Sequence, residues 1–284
     1  MNIFKTTGVH KATSILFLIF VLGLSSQVFA QVSIAPTSLF FDNQQRFSSL
    51  TISNGGQQAQ EISISTEFGY PTTRNGGIQV VNDSATAQQK SMTDWVKIFP
   101  QNFTLQPNQR QTVRFVARPP SGLSQGGYWS RVRVQSNPVS PPIESVDEGQ
   151  VGAQINLVVN QVIAAHYRTQ NATTGVEVSE VTFIQVDSTN SGEIAVNMEQ
   201  TGNAPFIGSI SLQVTDSNSN VVYETQTTNS VYTTITRNFT MDLSDLEAGT
   251  YSLSGEITSQ RRDISQDKLL QIKPVPFERQ ITIE

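Results

Sequence analysis

From Val32 onward the chain alternates. Short runs of apolar and polar residues take turns with period two, and Gly, Pro, Asn or Asp punctuates them every eight to twelve positions. That rhythm predicts strands with one buried face, not helices with an apolar stripe. Val151 to Arg168 (VGAQINLVVNQVIAAHYR) is the longest such run. Ile155, Leu157, Val159, Ile163 and Ala165 fall on one face of a strand, and Val158, Asn160, Val162 and His166 on the other. Ahead of it, Ser136 to Gln150 carries three prolines and predicts a mobile connection.

Taken in order, Val32 to Phe41 is broken by Pro36, which predicts an edge strand or one that changes sheets there. Arg46 to Ser53 and Ala59 to Tyr70 flank Asn54-Gly55-Gly56 and read as a hairpin. Pro71 to Thr93 is a polar excursion at the end of a sandwich, with a weak helix signal at Ala85 to Lys90. Strands are expected at Trp95 to Phe99, Gln111 to Ala117 and Gly127 to Val134, with a turn at Phe103 to Gln109. Tyr128, Val132 and Val134 point inward, and Trp95 and Trp129 are read as core aromatics. About seven strands of this kind make an immunoglobulin-like β-sandwich. The same grammar returns after Thr169. Strands are expected at Val176 to Val186, Gly192 to Gln200, Phe206 to Thr215, Val221 to Thr225, Tyr232 to Met241, Thr250 to Ile257, Lys268 to Lys273 and Gln280 to Ile283.

The expected architecture is therefore all-β, two tandem immunoglobulin-like sandwiches: residues 31–168, a linker at 169–175, and residues 176–284. Two local phrases recur. Asn102-Phe103-Thr104 with Gly126-Gly127-Tyr128 is echoed by Asn238-Phe239-Thr240 with Gly249-Thr250-Tyr251, through either tandem relationship or chance.

Composition changes the picture at the start of the chain. Lys5 and Lys11, an apolar run, and Val28-Phe29-Ala30 have the three-part form of a secretory signal peptide over residues 1–30, which places the mature protein in the periplasm. Removal leaves 254 residues with 16 basic and 23 acidic side chains, net −7, because both leader lysines go with it. That balance, with no basic run, excludes nucleic acid as the expected partner, and no second apolar stretch reaches membrane length. There is no cysteine, so two packed cores must hold the fold without disulfides.

Chemistry is sparse. His166 is the only histidine of the mature chain and reads as a strand residue near an interdomain face. No thiol, histidine cluster or glycine-rich phosphate loop is present, so no enzyme activity, cofactor or metal is expected. Asp216-Ser217-Asn218-Ser219-Asn220 spaces its oxygens like a calcium loop but lacks the central glycine, and a hairpin turn is the better reading.

The residues also resemble a family. Val32 to Asp42, Leu50 to Asn54, Phe99-Pro100, Leu105 to Arg114, Gly127 to Arg131 and the closing Tyr167-Arg168 resemble, in order and spacing, the first domain of PapD-like periplasmic pilus chaperones. The resemblance implies two immunoglobulin-like domains set at an angle. It implies a partner that is an exported pilin-like subunit, bound by lending it a strand edge. Ala153, Ile155, Leu157 and Val159 are the residues it assigns to that edge. It further implies a cationic anchor for the subunit's terminal carboxylate, but the two matching positions fall near Ser38 and Ala164, neither charged; Arg168 or Arg46 are the substitutes in view. A secreted structural or adhesive two-domain module is the alternative.

Overall fold

The computed structural model describes residues 32–139 and 157–284. The expected leader lies outside the described residues, as do Ala153 and Ile155.

Alternation becomes strand wherever one face can be covered. In the first half these strands are β1 (Val32–Ala35), β2 (Ser38–Asp42), β3 (Phe47–Asn54), β4 (Gln60–Glu67), β5 (Tyr70–Arg74), β6 (Gly77–Val81), β7 (Val96–Phe99), β8 (Asn102–Leu105), β9 (Arg110–Ala117), β10 (Gly127–Pro138) and β11 (Val159–Arg168), with one short helix, α1 (Ser84–Lys90). Two sheets face each other, in the orders β1-β3-β9-β7 and β2-β11-β10-β4-β8. Their inward positions, among them Leu39, Phe41, Leu50, Ile64, Phe115 and Val132, form one core. The second half holds β12 (Val176–Val186), β13 (Ser191–Gln200), β14 (Phe206–Thr215), β15 (Val221–Val231), β16 (Thr234–Asp242), β17 (Gly249–Thr258) and β18 (Val275–Ile283). These pair as β12-β13-β16 and β15-β14-β17-β18 around a separate core that includes Ile194, Phe206, Ile210 and Leu253. The architecture is all-β and immunoglobulin-like in both halves.

Pro36 does what its missing N–H predicts. β1 pairs with β3, and after the proline β2 crosses to the other sheet and pairs in parallel with β11. The recurring Gly-x-Tyr phrases are the same device twice. The Tyr128 hydroxyl donates to Ser124 O at 2.9 Å and the Tyr251 hydroxyl to Glu247 O at 2.8 Å, so each tyrosine pins the corner that leads into its strand. At the β14–β15 turn, Asp216 accepts from the backbone N–H groups of Asn218 and Asn220, each at 2.8 Å, closing the hairpin with its own side chain.

Five expectations are corrected. β3 and β4 are not a hairpin. They lie in opposite sheets, and the Asn54-Gly55-Gly56 turn carries the chain across the core, held by Asn54 Nδ2 donating to Gln58 O and Leu105 O. Ser136, Asn137 and Pro138 are strand, not loop, because β4 pairs with β10 to its end and β11 pairs with Ser136. β11 begins at Val159, so Leu157 and Val158 stand outside the ladder. The turn expected at Phe103 to Gln109 is partly the strand β8, and the strand expected at Lys268 to Lys273 is absent. There the chain makes a short 3-10 turn at Gln266–Lys268 and tucks in Leu269.

The polar excursion bridges the two halves. β5 and β6 form a hairpin that reaches the second half. Thr72 Oγ1 donates to Thr234 O (2.9 Å), Thr73 Oγ1 accepts from Thr236 N (2.8 Å), and Asn238 Nδ2 donates to Gly76 O (3.2 Å). At a further contact of the joint Gly127 N donates to Asn203 O at 3.0 Å, and the chain passes so close that a side chain on Gly126 or Gly127 would collide with Asn203 or Ala204.

Candidate functional site

The edge of β11 is half covered. On one side β10 pairs with it along its whole length, from Val159↔Ser136 to Arg168↔Gly127. On the other side β2 pairs only with Ala164 to Arg168. The backbone of Val159 to Ile163 therefore has no strand partner on that side among the described residues. Around it, exposed apolar residues flank the amides Asn160 and Gln161. Leu157 is 71% exposed, Val158 46%, Val159 39% and Val162 43%. Odd positions point toward the core, where Ile163, Ala165 and Tyr167 are buried. Leu157 and Val159 continue that row past the point where the sandwich closes. Gln161 reaches over the opening, its Nε2 donating to Val32 O of β1 at 2.9 Å. An unpaired strand edge with apolar residues on alternate positions can accept another strand, its backbone supplying the ladder and its side chains the register.

At its other end β11 is built into a cleft between the two halves. Two aromatic rows cross β2, β11 and β10 in register. Phe41, Tyr167 and Tyr128 face the core, and Phe40, His166 and Trp129 face outward. The outward row is covered by the second half. Tyr232 stacks on His166 with centroids 5.9 Å apart and meets Trp129 edge-on at 5.1 Å, while Phe68, Tyr70 and Val81 complete the cluster. Phe40 lies on the opposite face of His166 at 5.3 Å. Burial pulls the His166 pKa from 6.5 down to about 3, and the charges of Arg131 and Arg261 push the same way. The imidazole is thus neutral, 3.4 Å from the Tyr232 hydroxyl, and serves as packing rather than as a base. Trp95 packs on the first core beside Tyr128 and Tyr167, whereas Trp129 belongs to the joint.

Ser38 and Ala164, the uncharged pair of the sequence analysis, are direct partners on β2 and β11. The row continues to Arg131 on β10 and Glu67 on β4. Arg131 sits over the Tyr232 ring at 5.8 Å, and its Nε donates to Gly69 O at 3.2 Å; it joins no ion pair among the described residues. Glu67 is held by Arg133 at 2.6 Å instead. Arg168 is engaged elsewhere, donating to the carbonyls of Lys268 and Asp267 across the joint at 3.3 Å each. Arg46 is exposed and acts on Tyr167, on the core side of β11 rather than the cleft side. Two cations reach the His166–Tyr232 cluster among the described residues: Arg261, which is paired with Asp263, and Arg131, which is free of an ion pair and was not singled out from sequence. The signal was its place on the outward parity of β10, two strands across from Ser38.

The Fn3-like domain family matches residues 40–140. No curated protein sequence matches the chain. Among solved structures the chain is similar to the YadV chaperone, at 8% identity over 89% of this chain and 100% of that one, TM-score 0.44. It is likewise similar to a chain of the CsuC–CsuE chaperone–tip adhesion subunit pre-assembly complex of Acinetobacter baumannii, at 12% identity over 88% and 98%, TM-score 0.45. A third is the Salmonella enterica SafA pilin in complex with the SafB chaperone, at 12% over 89% and 98%, TM-score 0.43.

Proposed function

We propose that this chain is a periplasmic chaperone-like protein that binds exported β-rich subunits of the pilus type by adding the free edge of β11 to them. The observation that carries the reading is the backbone of Val159 to Ile163, unpaired on the side away from β10 among the described residues, with Val159 exposed at its start and exposed Leu157 and Val158 just before it. A subunit lacking one strand would gain a ladder from that backbone and would bury Leu157 and Val159 in its own open core. Ala153 and Ile155, which extend the same parity, would lengthen the apolar row. Arg131, in the cleft beside Ser38 and Ala164, is the group suited to a partner's carboxylate. The reading involves no cofactor, and no helix among the described residues is long and apolar enough to cross a membrane.

The test is a native pull-down of the tagged chain from a periplasmic extract, with the double variant Leu157→Arg, Val159→Arg beside it. The expected result is a stoichiometric β-sandwich subunit with the parent chain and none with the variant, whose thermal midpoint stays within about 1 °C because both positions are exposed. Equal capture by both chains would sink the edge as the binding element. No client, with the chain found in envelope fractions, would favour the structural or adhesive module.

A further inference from the structure

The outer face of the β1-β3-β9-β7 sheet is unlike the rest of this acidic molecule. None of its four strands contains an Asp or Glu. Lys97, Arg110 and Arg114 all project from it and are exposed. None of the three joins an ion pair among the described residues. Between them stand two exposed rings, Phe47 (67%) and Phe99 (59%). Register fixes the pattern. One row reads Phe47–Val116–Lys97, and the next Ser49–Arg114–Phe99. The two rings are therefore diagonal neighbours, about 12 Å apart from strand spacing and rise. Cations alternate with apolar groups on one flat surface. The corresponding sheet of the second half is the opposite, with Glu177, Glu180, Glu193, Glu199 and Asp242 against a single Arg237.

We propose that this face docks on an anionic lipid surface. Charge complementarity supplies the partner's sign, since three unpaired cations on a carboxylate-free face favour a phosphate-bearing plane, while the acidic second half is repelled from it. The phenylalanines supply the choice of lipid over an acidic protein. They stand exposed on the face of a sheet whose four strands pair with one another, so the backbone between those strands offers a peptide no ladder. A fluid interface satisfies both kinds of group, with headgroup phosphates at the cations and the acyl boundary at the rings. The joint to the second half lies on the other sheet, so nothing in the described structure covers this face. Sequence shows no basic run here because the cations sit at every fourth residue of β9 and on a neighbouring strand.

Co-sedimentation of the full mature chain with vesicles tests this. Phosphatidylcholine vesicles with and without phosphatidylglycerol are compared at low and high salt. Binding is expected only with phosphatidylglycerol and is expected to be lost in high salt. The Arg110→Ser, Arg114→Ser variant should weaken it about thirtyfold, at about fivefold per cation. Phe47→Ser with Phe99→Ser should weaken it at least about tenfold with the salt dependence kept. Unchanged thermal midpoints would show both variants folded. Sedimentation that is equal with neutral vesicles, or insensitive to both variants, overturns the proposal. So does retention on immobilised polyglutamate without vesicle binding, which would assign the face to an acidic protein.

Discussion

Tyr232 is the second half's contribution to the joint, and its removal gives the sharpest measure of what holds the two halves together. The ring is 5% exposed and lies against Trp129, Tyr70 and His166 at 5.1, 6.1 and 5.9 Å, with Arg131 over its face. Burying a tyrosine removes roughly 150–200 Å² from water, worth about 4 kcal/mol at about 25 cal/mol per Å². Truncating a buried ring usually costs about 3–5 kcal/mol, and an interface that water can enter sits at the low end. Tyr232→Ala should thus cost about 3 kcal/mol, or roughly 6–12 °C in the transition that includes the joint. The loss falls between two separate cores. Calorimetry should therefore show the variant's unfolding resolve into two transitions, one per half, with the Trp129 emission shifted to the red. Tyr232→Phe keeps the ring and gives up only the hydroxyl near His166, at a cost under about 1 kcal/mol. A single transition for Tyr232→Ala, within about 1 °C of the parent and with unchanged emission, would refute the reasoning.

Three further outcomes are expected. His166 stays neutral in the folded chain down to about pH 3, while the unfolded chain takes up its proton near 6.5. Its burial therefore stabilises fully above pH 6.5, and that stability is lost as pH falls toward 3, by up to about 1.4 kcal/mol per unit. Denaturant titrations between pH 6.5 and 5 should show a steeper fall for the parent than for His166→Phe, and parallel slopes would contradict the assignment. Tyr128→Phe and Tyr251→Phe should each cost about 1 kcal/mol by loss of the corner hydrogen bond, and should add in the double variant because each corner is built within its own half; urea midpoints at constant slope measure this. Gly126→Ala places a methyl on Asn203 O at a φ of 138° and should destabilise the fold by about 2–3 kcal/mol, read as a lowered thermal midpoint, with an unchanged midpoint taken as disproof.

Much of the β architecture could be read from alternation, because period two reports which face is buried. What it does not report is the partner of each strand. Asn54-Gly55-Gly56 announces a reversal, yet turn chemistry alone does not say whether the next strand joins the same sheet or crosses to the other. Pro138 looked like loop because proline cannot donate, but it closes β10 at a point where the ladder ends. The cleft was half legible. Three adjacent bulky pairs, Phe40-Phe41, Tyr128-Trp129 and His166-Tyr167, cannot each point into one core. Parity alone demands a second cover over the outward members. Reading Trp129 as a core residue missed that constraint, whereas His166 near an interdomain face met it. Of the candidate edge residues, Leu157 and Val159 are seen to be exposed at an unpaired stretch. Arg131 escaped notice because its significance is a matter of register across four strands, which only the pairing supplies.

The two aromatic rows have a mechanical meaning. β11 has one unpaired edge at its start and is clamped at its end, where one face is sealed by the first core and the other by Tyr232. A guest strand on the free stretch would lie along the same axis, so tension on it would be carried lengthwise through β11 into the clamp. In that direction interstrand bonds share a load instead of opening one after another. Pulled at right angles, the same bonds would unzip from Val159 inward. The molecule would then hold its cargo firmly along one direction and release it easily along another, a difference that single-molecule pulling in the two geometries would measure.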